Sequence, residues 1–203
     1  MKRIYVSQRV DSVLEYNERR DALDQRWASF LEETAGIPFP MPNNPRTVLS
    51  ILKTDLPDGL LLTGGSNPVK YGGTAPERDD TDNLLIDHAT RFCIPLIGVC
   101  RGMQSILLYF GGSLRETENH IATRHMVSGR INRIVNSYHS LTADVIPSCF
   151  EVIARSDDGV VEAMVHSSLS IMAIMWHPER EHVFASEDVE LFHNMWQGKG
   201  GMV

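Results

Sequence analysis

The segment Ile94-Pro95-Leu96-Ile97-Gly98-Val99-Cys100-Arg101-Gly102-Met103-Gln104 carries the sharpest structural signal in the chain. Ile94 to Val99 is a short apolar run, the mark of a strand buried on both faces. Arg101 to Phe110 has helical character and is closed by Gly111-Gly112. Cys100 therefore stands at a strand-to-helix junction with almost no connecting residues. Glycines two positions before and two after it let the backbone turn tightly without Cβ clashes. This is the logic of a nucleophile elbow, with sulfur in place of oxygen. A side chain held there projects from the carboxyl edge of the sheet, where open α/β sheets place their ligands.

Working outward, the pattern alternates. Strands are expected at Ile4 to Ser7, Ile37 to Met41 and Gly59 to Thr63, and helices at Tyr16 to Thr34, Pro45 to Lys53 and Asp79 to Phe92. The long first helix rests on Leu23, Trp27, Phe30 and Leu31. The second half reads as strands at Arg130 to Val135, Glu151 to Ala154, Val160 to Val165 and Ile171 to Trp176, then a covering helix from Glu187 to Gln197. The expected fold is α/β: a three-layer, open, mostly parallel sheet with helices on both faces. Residues 1–203 are expected to form one domain, with no repeat or linker.

Composition narrows the function. A net charge of −7 opposes binding to nucleic acid or anionic membranes. No apolar run is long enough to span a bilayer, and the amino-terminal apolar stretch is too short for a signal peptide. Three cysteines, Cys93, Cys100 and Cys149, form neither a disulfide framework nor a CxxC pair and suit a reducing compartment. The expected location is the cytoplasm. Cys93 and Cys149 lack the setting of Cys100 and read as structural.

A cysteine nucleophile needs more than a helix end. The helix dipole contributes about 0.3–1 kcal/mol, whereas lowering a thiol pKa by two units takes about 2.7 kcal/mol. A basic partner is required. The apolar strand Ile171 to Trp176 ends in His177-Pro178-Glu179. In an extended segment residues i and i+2 face one side, so Glu179 is placed to hold one imidazole nitrogen while the other meets a thiol. Pro178 biases His177 toward extended geometry. His139, in Val135-Asn136-Ser137-Tyr138-His139, is a second candidate base, better read as a pocket residue because no acid stands two positions away. His88, His120, His125, His166, His182 and His193 carry no motif, and no metal-ligand spacing is evident.

Together these residues resemble the class I glutamine amidotransferase superfamily, and within it the γ-glutamyl-γ-aminobutyrate hydrolase-like branch. Gly59-Leu60-Leu61-Leu62-Thr63-Gly64-Gly65 resembles the oxyanion strand and turn, Gly98 to Gln104 the nucleophile motif, Val135 to His139 the pocket segment, and Trp176-His177-Pro178-Glu179 the His-Pro-Glu pair. The chain departs from that branch at Gly65-Ser66-Asn67-Pro68, where the commoner pattern has an Asp. The resemblance implies Cys100, His177 and Glu179 as the catalytic residues. It implies backbone N–H groups of Arg101 and of Gly64 or Gly65 as the oxyanion hole. Gln104, with Asn136, Ser137, Tyr138 and His139, is implied in binding the γ-glutamyl substrate. It requires no metal or organic cofactor.

A full amidotransferase also needs a domain that consumes ammonia. Two readings follow: a free-standing hydrolase, or a glutaminase subunit that feeds a synthetase partner. The start Val6-Ser7-Gln8-Arg9-Val10-Asp11, with Arg19 and Arg20 beyond, resembles the γ-glutamyl-CDP-amidate hydrolases of surface-polysaccharide phosphoramidate pathways. Arg9 and Arg19 are then expected to grip a phosphate-bearing leaving group, against the alternative of a solvated helix face. A redox-sensing protein using Cys100 is the non-enzymatic reading. The His-Pro-Glu pair disfavours it, because a sensor needs no proton shuttle.

Overall fold

The computed structural model describes residues 1–198. Its elements, in chain order, are β1 (Lys2–Val6), β2 (Arg9–Val13), β3 (Glu18–Ala22), α1 (Arg26–Glu33), β4 (Gly36–Pro40), α2 (Pro45–Thr54), β5 (Gly59–Leu62), α3 (Pro76–Phe92), β6 (Leu96–Val99) and α4 (Arg101–Tyr109). There follow β7 (Ser113–Glu116), β8 (Ile121–Gly129), β9 (Arg133–Tyr138), β10 (Leu141–Val145), β11 (Phe150–Ser156), β12 (Val161–His166), β13 (Ile171–Ile174) and α5 (Ser186–Trp196).

Nine strands form the central sheet in the order β4-β1-β5-β6-β13-β12-β11-β8-β9. The first five are mutually parallel, and the rest extend the sheet antiparallel. β5, β6 and β13 are buried at every position, as their unbroken apolar runs require. β4 lies at the edge, where Pro38 and Pro40 cost no ladder bond. A two-stranded sheet of β7 and β10, and the β2–β3 hairpin, stand apart.

Alternate strand residues face two separate cores. On one side Leu60, Leu62 and Leu96 meet Val48 and Leu52 of α2, Leu85 and Ile86 of α3, and Met103, Ile106 and Leu107 of α4. On the other, Ile4, Val6, Leu61, Ile97 and Val99 meet Trp27, Phe30 and Leu31 of α1 and Phe192, Met195 and Trp196 of α5. The three-layer α/β architecture expected from the sequence is the one observed. No helix among the described residues is long and apolar enough to cross a membrane.

The expected helix over Tyr16 to Thr34 is corrected to a hairpin and a shorter helix. β2 pairs antiparallel with β3, turning through Asn17 in left-handed backbone (φ 50°). Glu18-Arg19-Arg20-Asp21 offers no apolar face for a helix to bury, and Leu14 and Tyr16 are exposed. The helix begins only where the Asp24 carboxylate accepts from the Arg26 N–H at 2.9 Å. β8 was not expected: Val127 is its one buried residue, so no alternation marks it.

Phe30 sits against Trp27, Phe184 and Phe192 with ring centroids 5.8, 5.3 and 4.9 Å away. Phe30→Ala is expected to lower stability by about 3–5 kcal/mol, read as a shift in the urea midpoint at unchanged slope.

Candidate functional site

Cys100 occupies the corner between β6 and α4 with φ 51° and ψ −101°. Left-handed backbone at a residue bearing a Cβ costs about 1–3 kcal/mol and persists only where its surroundings impose it. Here they do. The Cys100 N–H is tied to the Ile174 carbonyl at 2.8 Å. A Cβ on Gly102 would lie 2.1 Å from the Leu62 oxygen, and one on Gly98 2.7 Å from the Gly102 carbonyl carbon. The helix thus starts in direct backbone contact with β5 and β6, and the corner has no room to relax.

His177 follows β13, the parallel neighbour of β6, so its ring arrives beside Cys100 at the same sheet edge. Its Nδ1 lies 2.7 Å from Glu179 Oε1, and both residues are buried. The backbone of His177 is clamped by Asn136, whose Oδ1 accepts from the His177 N–H and whose Nδ2 donates to the His177 carbonyl, each at 2.8 Å. Arg26 of α1 donates to the Glu179 carbonyl at 2.6 Å and also to that of Glu181. Burial pulls the His177 imidazolium down, but negative charge on the Cys100 sulfur and on Glu179 outweighs it, together with hydrogen bonds to both. The His177 pKa is raised to about 9.

Behind the corner lies a buried charged cluster that the sequence did not reveal. Arg78 of α3 donates to the carbonyls of Gly64 at 2.9 Å and Thr63 at 2.6 Å, fixing the turn after β5. The Arg101 side chain turns away from the cleft to Asp79 at 2.5 Å, to Ser105 and to Asp82 at 3.4 Å. Burial holds the Arg78 pKa below its usual value despite Asp82 beside it.

A cleft of about 310 Å³ opens over Cys100 and His177, lined also by Arg9, Val10, Asp11, Gly65, Ser66, Tyr138 and Arg180. The sequence expectations divide here. Cys100, His177 and Glu179 are brought together, with Gly65, Tyr138 and Arg9 around them. Gly64 packs edge-on to His177, its absent Cβ standing 2.5 Å from Cε1. Arg19 is not among the lining residues: its guanidinium is engaged by Glu77 and the Thr74 carbonyl. Asn136, expected to hold substrate, spends its amide on the His177 backbone and on Glu181 Oε1 at 2.8 Å. Ser137 and His139 face the other way. Neighbouring strand residues point to opposite sides, and Ser137 Oγ bonds the His120 carbonyl at 2.8 Å while His139 meets Glu162. Gln104 is buried, donating to the Leu141 carbonyl at 3.2 Å, with its own amide oxygen unpartnered. Arg180 was missed, although it directly follows Glu179; its guanidinium lies 4.4 Å over the Tyr138 ring. Outside the cleft, His120, His125 and Glu162 bring ligand-type atoms within 4.8 Å of one another.

The raised His177 pKa links stability to pH. The folded value lies above the unfolded one near 6.5, so its contribution is fully present below about pH 6.5 and is lost as pH rises through about 9. Urea midpoints measured across that window are expected to fall, and Cys100→Ala or Glu179→Gln to move the fall to lower pH.

Comparison with known proteins places the chain in a family. The family pattern described as glutamine amidotransferase class-I matches residues 33–195. The chain is 29% identical over 182 residues to a γ-glutamyl-CDP-amidate hydrolase of Campylobacter jejuni subsp. jejuni, covering 88% of this chain and 90% of that one. It is also 29% identical over 161 residues to a glutamine-hydrolyzing GMP synthase subunit of Pyrococcus furiosus, covering 73% and 79%. In structure it is similar to a putative GMP synthase subunit from Thermoplasma acidophilum, with a TM-score of 0.74, 24% identity and coverage of 98% and 95%.

Proposed function

The chain belongs to the glutamine amidotransferase class-I family, and from that membership we propose that it is a cysteine hydrolase of γ-glutamyl amides working through Cys100, His177 and Glu179. The observation that carries the proposal is the buried His177 ring, fixed by Glu179 at 2.7 Å and sharing one cleft with Cys100. The sulfur adds to the γ-carbonyl carbon, and the electron pair moves onto oxygen. The oxyanion is received by the Arg101 N–H at the start of α4 and the Gly65 N–H. Gly65 is preferred to Gly64 because it lines the cleft, whereas Gly64 packs edge-on to His177 and has its carbonyl bound by Arg78. His177 then protonates the departing nitrogen, leaving a γ-glutamyl thioester on Cys100. The neutral imidazole takes a proton from water, whose oxygen attacks the thioester and releases glutamate. Gln104 does not line the cleft, and its buried amide oxygen has no hydrogen-bond partner.

The leaving group we favour is an anionic one, a nucleotide phosphoramidate of the γ-glutamyl-CDP-amidate kind. Two cations support it, Arg9 and Arg180, both at the rim of the cleft. Similarity to a hydrolase of that name over nearly the whole chain supports it as well. Similarity to the GMP synthase subunit of Pyrococcus furiosus supports a second reading, a glutaminase subunit delivering ammonia to a separate synthetase. The reducing cytoplasm, where the three free thiols stay reduced, is the proposed location.

Mass spectrometry of the acid-quenched enzyme with substrate is expected to find a γ-glutamyl adduct on Cys100. A Cys100→Ser or Cys100→Ala protein that still turns over would refute the nucleophile. Arg9→Ala and Arg180→Ala are each expected to cut kcat/KM for the nucleotide amidate by about 10–100-fold, the worth of one charged hydrogen bond, with plain glutamine little affected. Equal loss on both substrates would leave the phosphate grip without support, and activation by a synthetase would favour the subunit reading.

A further inference from the structure

The antiparallel half of the sheet brings His125 of β8, His120 just before it, His139 just after β9 and Glu162 of β12 to one buried point. Glu162 of β12 has none of its surface exposed, yet neither carboxylate oxygen has a hydrogen bond of acceptable geometry. Converging on its Oε1 are His120 Nδ1, His125 Nε2 and His139 Nε2, each at 3.3 Å. A buried carboxylate without a good hydrogen bond is costly, and 3.3 Å is long for the charge-assisted bonds that would repay it. The same distance has another meaning. Ligands bound to Zn²⁺ at about 2.0–2.1 Å stand about 3.3–3.4 Å apart at the corners of a tetrahedron, the spacing that His120 Nδ1 and His125 Nε2 keep from Glu162 Oε1. We propose that His120, His125 and Glu162 form a structural binding site for a divalent transition-metal ion of the Zn²⁺ class, with His139 beside the carboxylate.

The surroundings fit that assignment. His120 Nε2 lies 3.0 Å from Asp158 Oδ2, the outer carboxylate that fixes a metal-bound imidazole in one tautomer. Ser137 Oγ also lies 3.3 Å from His120 Nδ1, but its hydrogen is directed to the His120 carbonyl at 2.8 Å, so the Nδ1 lone pair stays free. Both ring nitrogens of His139 lack hydrogen-bond partners. The three rings pack at centroid distances of 4.6 Å (His120 to His125) and 4.7 Å (His120 to His139), leaving the carboxylate at their meeting point. The donor set of two imidazoles and one carboxylate suits Zn²⁺ rather than the all-oxygen shells of Ca²⁺ or Mg²⁺. An outer cleft of about 530 Å³, lined by Glu116, Glu118 and Asp158, provides an acidic entry. Sequence spacing alone shows none of this, because Glu162 of β12 lies far along the chain from His120 and His125. The site also has a mechanical place. The Glu162 carbonyl accepts from the Met175 N–H at 2.8 Å, two residues before His177, and β9 carries Asn136, which clamps His177. A bound ion would cross-link β8 and β12 behind that wall.

The competing arrangement is metal-free, with a protonated imidazole neutralising Glu162. Metal analysis of the protein purified without chelator, followed by titration of the chelator-treated full chain with Zn²⁺ and with Co²⁺, separates the two. The expected result is about one ion per chain, a rise in Tm on adding Zn²⁺, and visible bands of tetrahedral Co²⁺. His125→Ala should abolish those bands. Asp158→Asn, a change at a half-exposed residue, should weaken affinity about 10–100-fold while the protein stays folded. A chelator-treated protein that takes up neither ion and whose Tm is unmoved by either overturns the proposal, as does binding that survives both substitutions. None of these readouts depends on hydrolysis, so the metal site stands or falls apart from the proposed reaction.

Discussion

The contact on which the rest of the site depends is the backbone approach of α4 to β5 and β6. Gly102 lies against the Leu62 carbonyl with no space for a single added carbon, and Gly98 is pressed against Gly102 in turn. That closeness forces the chain to reverse at Cys100 in left-handed backbone and lifts the sulfur out of the sheet at its carboxyl edge. Two well-filled cores hold the helices down on either face, so packing sustains the strain at the corner. A looser corner would let the cysteine sink among its apolar neighbours, the ordinary place of a free thiol.

Against that fixed sulfur, the imidazole is set by several groups acting through each other. Glu179 orients the ring, Asn136 clamps the backbone on either side of it, and Arg26 holds the carbonyls just beyond. Burial disfavours the imidazolium, and two negative neighbours more than compensate. Arg78 plays the parallel part on the opposite wall, where it pins the carbonyls of Thr63 and Gly64. It is nearly inaccessible, and its charge is balanced by Asp82 and its carbonyl partners, the usual condition for burying a guanidinium. The cleft therefore lies between two walls whose positions were settled before any substrate arrives.

Chain direction explains which readings of the sequence held. The parallel half of the sheet is built from apolar runs whose burial is visible residue by residue, and its strands appeared where expected. The antiparallel half is half-solvated, and β8, with one buried residue, left no pattern to find. Around Tyr16 the aromatic and leucine spacing imitated a helix, but the four charged residues from Glu18 to Asp21 had no core to face. The segment Asn136 to His139 reaches the site only in part, since alternation along β9 sends Asn136 and Tyr138 toward His177 and Ser137 away from it.

By itself the sequence determined what is local: the strand–cysteine–helix corner with its two glycines, and the His177–Glu179 pair with its two-residue spacing. In both cases the chemistry and the geometry are encoded within a few residues, through glycine sterics and the period of an extended strand. Only the tertiary structure decided which side chains from distant elements meet there. Arg78 and Arg26 from helices, Arg9 from a hairpin and Asn136 from an outer strand acquire their roles through sheet order. So does the convergence of His120, His125 and Glu162. Contacts of that kind depend on which strands become neighbours, and a chain read along its length carries no spacing for them.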